Sequence, residues 1–150
     1  MSAALHLATD EDIDRVLPLV AAYHRMEGIG SDDEARRAAV MPLLNGSSLG
    51  CVYLIGPRTA PLGYIAIAVG WSIEFGGMDG FIDEFYIRDA VRGRGVGSEV
   101  LNTLLPKLDK AGVKALHLEA AKDRPRLARL YARAGFQARD AYMLMTRRAR

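Results

Sequence analysis

Asp83-Glu84-Phe85-Tyr86-Ile87-Arg88-Asp89-Ala90-Val91-Arg92-Gly93-Arg94-Gly95-Val96-Gly97-Ser98 runs an apolar strand into a glycine-spaced basic loop and then into a helix. Glycines at 93, 95 and 97 let backbone N–H groups approach an anion closely. The helix that follows turns its free N-terminal amides and the positive end of its dipole toward the same place, and Arg92 and Arg94 add charge. The stretch reads as a pyrophosphate cradle for a phosphorylated cofactor. The common nucleotide loops fit poorly: no lysine follows the glycines as GxxxxGK[ST] requires, and GxGxxG would need glycine where Ser98 stands.

On either side of this stretch the chain alternates strands and helices. A short strand near Leu5 to Leu7 precedes a helix that Thr9 or Asp10 caps, with an apolar face of Ile13, Val16, Leu17, Val20 and Ala21 and an end near Gly28. Ser31 or Asp32 caps a second helix. Its inward positions, Ala35, Ala38, Ala39, Leu43 and Leu44, are mostly small and suggest a lid or a substrate wall, with Met41-Pro42 bending it and Asn45-Gly46 stopping it. Cys51 to Ile55 and Leu62 to Phe75 read as an antiparallel hairpin, with a bulge at Gly70 and a glycine-rich turn from Glu74 to Gly80 into a strand from Phe81 to Ile87. A helix from about Gly95 to Ala111 presents Val96, Val100, Leu101, Leu104, Leu105 and Leu108, is kinked by Pro106 and ends at Gly112. Leu116 and Leu118 continue the sheet, Arg124 or Pro125 opens a final helix that Gly135 ends, and Tyr142 to Thr146 forms a closing strand. The pattern is an α/β sandwich around a mixed sheet.

With 150 residues, half of them hydrophobic, the chain has enough to bury one core, so residues 1–150 are expected to form a single domain. The single cysteine, Cys51, excludes an internal disulfide and a cysteine-rich zinc site, which suits a reducing compartment and points to the cytoplasm. Export and membrane spanning are not indicated: the N-terminus lacks a basic flank and a long apolar run. A net charge of +2 is too small to argue for a nucleic-acid partner, and none is expected. His24 and His117 lack metal-ligand spacing, so no metal is expected, and Cys51 reads as core packing.

Arg92-x-x-Gly95-x-Gly97 resembles the acyl-coenzyme A loop [QR]-x-x-G-x-[GA] of the GNAT superfamily of N-acetyltransferases. Ala115-Leu116-His117-Leu118-Glu119 and Leu130-Tyr131-Ala132-Arg133-Ala134-Gly135-Phe136 are similar to that family's next strand and its LYxxxGF helix end. The resemblance spans roughly residues 5 to 147. It implies the order β1-α1-α2-β2-β3-β4-α3-β5-α4-β6, with an optional seventh strand: a mixed, mostly antiparallel central sheet flanked by about four helices. It also implies acetyl-coenzyme A as acyl donor, with its pantetheine arm paired to Phe85, Tyr86 and Ile87 where the fourth strand splays from the fifth. Arg92, Gly93, Arg94, Gly95, Val96, Gly97 and Ser98 would hold the pyrophosphate. By the same resemblance Tyr131 protonates the departing thiolate. One departure stands out: where relatives carry asparagine seven residues before that tyrosine, this chain has Arg124, which could instead reach a phosphate.

An alkyl amine, with a pKa near 10.4, is mostly protonated at neutral pH, so direct attack on a thioester needs a carboxylate to take its proton. Asp83 and Glu84 are the candidates, and period-two alternation places them on opposite faces. Counted back from Arg92, Asp83 falls where polyamine-type relatives carry the glutamate of E-D-[LF]-x-V, so Asp83 is preferred and Glu84 is the alternative. Trp71 and Glu74 lie at the end of the third strand that borders the acceptor site in the family, and Trp71 reads equally as core or dimer packing or as an acceptor contact. Glu74, Asp79, Asp83 and Glu84 together favour a cationic acceptor: a polyamine, an aminoglycoside, or an amino-acid or protein amine. The expected activity is acetyl transfer to such an amine in a ternary complex, with homodimerisation through strand edges as in the family. The alternative is a non-catalytic acyl-coenzyme A sensor or partner-binding module, which would need neither Tyr131 nor a carboxylate base.

Overall fold

The computed structural model describes residues 3–150. The chain divides into two compact units, Met1–Glu119 and Ala120–Arg150. The first holds a sheet of five strands in the order β1-β2-β3-β4-β5: β1 (Leu5–Leu7), β2 (Gly50–Ile55), β3 (Gly63–Ser72), β4 (Gly77–Ile87) and β5 (Ala115–His117). The first four pair antiparallel with their neighbours, and β5 runs parallel to β4. The helices of this unit are α1 (Ile13–Glu27), α2 (Asp33–Leu44) and α3 (Val96–Lys110).

The start of α1 is fixed by a reciprocal cap. Thr9 opens a 3-10 turn at Asp10–Asp12, and its backbone N–H donates to Asp12 Oδ2 at 2.9 Å. Gly28, at φ 69°, closes α1 in the left-handed conformation, and the Ile29 N–H reaches back to the His24 carbonyl at 2.8 Å. Asp32 caps α2 through the Ala35 N–H at 2.8 Å. Both helices cover one sheet face: Ile13, Val16, Leu19, Val20, Val40 and Leu44 form a single buried cluster with Val52, Leu54, Tyr64, Ala66 and Tyr86. Strand alternation turns Ile65 and Ile67 to the opposite face, where they are also buried, as are Val100, Leu101 and Leu104 of α3.

The strand boundaries depart from the sequence reading in ways that matter for the site. The glycine-rich stretch is not all turn: only residues 73–76 turn, and β4 begins at Gly77. Gly70 pairs regularly with Asp79, and the bulge falls farther along, where Ala66 faces Glu84 while Ile67 faces Ile82. Asp83 is therefore the extra residue of β4, and strict alternation from 83 to 84 does not apply. At the far end of the hairpin β3 and β4 approach so closely that a Cβ at Gly63 would lie 2.0 Å from the Tyr86 carbonyl oxygen.

The second unit contains α4 (Pro125–Arg133), opened by Arg124 with proline in its first turn. Leu127, Leu130, Tyr131 and Ala134 recur at helical spacing on its less exposed side, and Tyr131 is buried. The closing strand expected from Tyr142 to Thr146 does not form: these residues are in neither strand nor helix and are exposed. Tyr142-Met143-Leu144-Met145 is an uninterrupted apolar run, and such a run shows β propensity without specifying a partner strand.

Candidate acyl-transfer site

β4 pairs with β5 only at Asp79, Gly80 and Phe81. Among the described residues no strand continues β5 beyond His117, so the segment from Ile82 to Ile87 keeps an open backbone edge on that side. Phe85, Tyr86 and Ile87, expected to pair with an extended ligand arm, lie within this segment. Such an edge presents unpaired N–H and C=O groups in register with any strand-like partner.

Beyond Ile87 the chain passes through a short 3-10 turn at Asp89–Val91 into the glycine loop and α3. Gly93 and Gly95 adopt φ values of 77° and 78°, which only glycine enters without strain, and a Cβ at either would meet nothing within 4 Å. The loop face is thus open to a ligand, and Gly95 is the cap of a 15-residue helix whose first-turn amides have no partner within the helix. An anionic pyrophosphate fits this arrangement. The two arginines of the loop differ. Arg92 is committed to its own surroundings: it pairs with Asp89, its Nε donates to the Ile87 carbonyl at 2.8 Å, it lies 5.4 Å over the Tyr86 ring, and Nη2 reaches Met26 Sδ at 3.1 Å. Arg94 is exposed, and no hydrogen bond or ion pair holds it among the described residues.

The two candidate carboxylates differ as well. Asp83 is exposed, and no hydrogen bond or ion pair holds it among the described residues. Glu84 is held at both oxygens: the Tyr64 hydroxyl donates to Oε1 at 2.7 Å, and His24 Nε2 lies 2.7 Å from Oε2. Tyr64 sits diagonally across the hairpin, since it faces Tyr86 while Ala66 faces Glu84. Burial, the Glu84 charge and the Glu84 hydrogen bond push the Tyr64 phenol far above its ordinary value, so it remains a donor. Tyr23, Tyr64 and Tyr86 surround this point, with ring centroids 6.2–6.3 Å apart. The Glu84 side chain nevertheless keeps 19% of its surface exposed.

In the second unit burial pushes the Tyr131 phenol up to about 12, which keeps it protonated at neutral pH, and its ring meets Phe136 edge-on at 5.7 Å. Arg124 is exposed at the start of α4. Trp71 and Glu74 lie at the turn end of the β3–β4 hairpin, where Trp71 faces Met78 and is 76% exposed. By strand rise, Trp71 is roughly 17 Å along β3 from the residue facing Glu84. Burial also raises the Cys51 thiol, which disfavours a reactive thiolate. Among the described residues no group of three or more His, Cys, Asp or Glu side chains could hold a metal ion, and no helix is long and apolar enough to cross a membrane.

His24 and Tyr64 are the partners of Glu84 that sequence reading missed. Tyr64 becomes visible only once the hairpin register is known, because nothing in its neighbours distinguishes it from a core tyrosine. The spacing of His24 speaks only to metal binding, whereas its partner is a carboxylate 60 residues away.

Comparison with known proteins agrees with this geometry. Residues 19–136 match the model of the acetyltransferase (GNAT) family. An integron cassette protein from the mobile metagenome of Cole Harbour Salt Marsh is 30% identical, with a TM-score of 0.84 over 97% of this chain and 91% of that one. A predicted acetyltransferase of Clostridium acetobutylicum solved with acetyl-CoA is 21% identical, with a TM-score of 0.73 over 96% of each chain. A ribosomal-protein-alanine N-acetyltransferase of Brucella melitensis biovar Abortus 2308 is 18% identical, with a TM-score of 0.75 over 99% of this chain and 100% of that one. No curated protein sequence matches the chain. Its glycine loop, its strand order and this family match together establish that the chain belongs to the acetyltransferase (GNAT) family, whose chemistry is acyl transfer.

Proposed function

We propose that the protein transfers an acetyl group from acetyl-coenzyme A to a primary amine, with Glu84 as the carboxylate that receives the amine's proton. The observation that carries this reading is the treatment of Glu84. It lies on the strand whose open edge leads into the glycine loop, it is fixed at both oxygens by Tyr64 and His24, and it stays partly open to solvent. A carboxylate oxygen has more than one acceptor site, so each oxygen of Glu84 can take a further hydrogen bond. Asp83, preferred from sequence position, lacks such support and would act only as a flexible surface charge.

Acetyl-coenzyme A would bring an activated thioester to the site. Arg94 and the backbone amides from Gly93 to Ser98 would hold its pyrophosphate, and the Ile82 to Ile87 edge would align its pantetheine arm. The amine would approach as an ammonium, attracted by Glu84 and Asp83, and lose its proton to Glu84 directly or through one water. By family resemblance alone, Tyr131 is the candidate for returning a proton to the leaving thiolate; it stays protonated at neutral pH. The acidic surroundings favour a small cationic amine or a peptide amine as acceptor.

The test is coenzyme A release from acetyl-coenzyme A across polyamines, aminoglycosides, amino acids and peptides. Glu84→Gln, Asp83→Asn and Tyr131→Phe are run beside the parent. Glu84→Gln is expected to lower kcat by about a hundredfold or more and Asp83→Asn by less than about fivefold, since general-base contributions run from about 10² to 10⁴. The opposite ranking returns the base to Asp83. If the parent binds acetyl-coenzyme A but acetylates nothing, a sensor on the same fold replaces the enzyme.

A further inference from the structure

Glu84 is the middle of a longer hydrogen-bonded chain. On its far side His24 Nδ1 lies 2.7 Å from Ser31 Oγ, and Arg36 Nη1 donates to the same hydroxyl at 3.0 Å. Donor and acceptor inventories fix the directions at the two ends, and for a His24 that carries a single ring hydrogen they fix the middle as well. Arg36 can only donate, and an ionised Glu84 can only accept. A neutral His24 therefore carries its hydrogen on Nε2, donates it to Glu84, and accepts the Ser31 hydroxyl hydrogen on Nδ1. Every link from Arg36 through Ser31 and His24 to Glu84 then has one donor and one acceptor, and Tyr64 closes the other end.

The fold pre-assembles this chain. His24 sits in the last turn of α1, where the left-handed Gly28 turns the backbone back and brings Ser31 alongside it. Arg36, in the first turns of α2, also donates to the Ser31 carbonyl and pairs with Asp33. His24 has both ring nitrogens occupied and only 14% of its side chain exposed, so it has no free nitrogen to offer a substrate. Its effect must pass through Glu84. A glutamate is otherwise one of the more flexible side chains, and fixing it in one geometry carries a conformational cost that preformed donors meet in advance.

We propose that His24 is a positioning residue for Glu84, oriented in turn by Ser31 and Arg36. The inference rests on the reading of Glu84 as the acceptor carboxylate. It commits to an effect on kcat at saturating acetyl-coenzyme A, without a comparable effect on the KM for that cofactor, whose proposed contacts lie on the β4 edge and the glycine loop.

The experiment is a double-mutant cycle on the amine that the parent acetylates fastest. The parent, His24→Leu, Glu84→Gln and the combined variant are compared, with His24→Gln as the conservative replacement that keeps an N–H donor. His24→Leu is expected to lower kcat about tenfold or more, and His24→Gln is expected to recover most of that loss. In the Glu84→Gln background His24→Leu should cost less than about twofold, because residues that act as one unit are not additive. If Glu84→Gln keeps the parental kcat, the underlying reading of Glu84 fails. If Glu84→Gln is impaired but His24→Leu is not, or if the combined loss equals the product of the single losses, the positioning role fails while the reading of Glu84 stands. Should His24→Leu not fold, His24→Gln and Ser31→Ala decide: equal impairment of kcat and cofactor KM in both would mark the chain as structural only and overturn the proposal.

Discussion

Asp12 shows how one side chain anchors a helix start to a distant turn. It is fully buried, with the Arg58 Nε and Nη2 groups at 3.1 and 2.7 Å, the Arg15 Nη1 at 3.0 Å and the Thr9 amide at 2.9 Å. The Arg58 hydrogen bonds hold its carboxyl well below the ordinary carboxylate range, outweighing the burial that would raise it. With the folded value below the unfolded one, the stabilisation is complete above about pH 4, where the unfolded carboxyl ionises, and fades as the pH falls below that. Asp12→Ala is expected to cost about 2–3 kcal/mol near neutral pH and to flatten the acid side of the stability profile. Urea unfolding at a series of pH values measures both. An acid limb unchanged in the variant would show that other carboxylates govern it. The exposed side of Arg58 limits the loss, since its charge can return to water when Asp12 is gone.

At the scale of elements, the β3–β4 hairpin decides the site, and its bulge decides the hairpin. Because Ile82 faces Ile67 and Glu84 faces Ala66, deleting Asp83 would leave both pairs in place and turn the bulge into a regular ladder. The deletion variant is expected to keep its far-ultraviolet circular dichroism and to melt within a few degrees of the parent. Its kcat should fall at least about tenfold, because the bend that re-aims the strand near Glu84 is gone. Full activity in a folded deletion variant would make the bulge incidental. The helices and most strands were legible in the sequence because caps and period mark them: Asp32 caps α2, Gly28 closes α1, and Arg92-x-x-Gly95-x-Gly97 announces the start of α3. The bulge position was not legible, because Gly70 is the sort of residue that signals one, whereas Ala66 and Asp83 carry no such mark. The closing strand failed for a related reason: the run from Tyr142 to Met145 reports propensity, and pairing depends on a partner edge that propensity does not encode.

Across the whole molecule, the family match and the loop geometry divide the proposed labour of the first unit between two places. The α1 and α2 face of the sheet presents Glu84 with its tethers, and the junction of β4 and α3 presents the glycine loop. Cofactor affinity and acceptor chemistry should therefore separate in mutants, and the loop arginines should separate from each other. Arg92 spends its donors on Asp89, the Ile87 carbonyl and Met26, so its removal should lower the melting temperature and change coenzyme A affinity by less than about twofold. Arg94 has no such commitments, and losing a charge-assisted contact to a phosphate costs about 1.5–3 kcal/mol, which is about tenfold or more in Kd. Gly95→Val should weaken coenzyme A comparably, since it forces a β-branched residue to φ 78° and fills the space a phosphate would approach. Isothermal titration of coenzyme A against Arg92→Ala, Arg94→Ala, Gly95→Val and Glu84→Gln checks all four, with Glu84→Gln expected to match the parent. If Arg92→Ala weakens binding as much as Arg94→Ala, then Arg92 must leave Asp89 and turn to the ligand on binding, and the loop rearranges rather than standing ready.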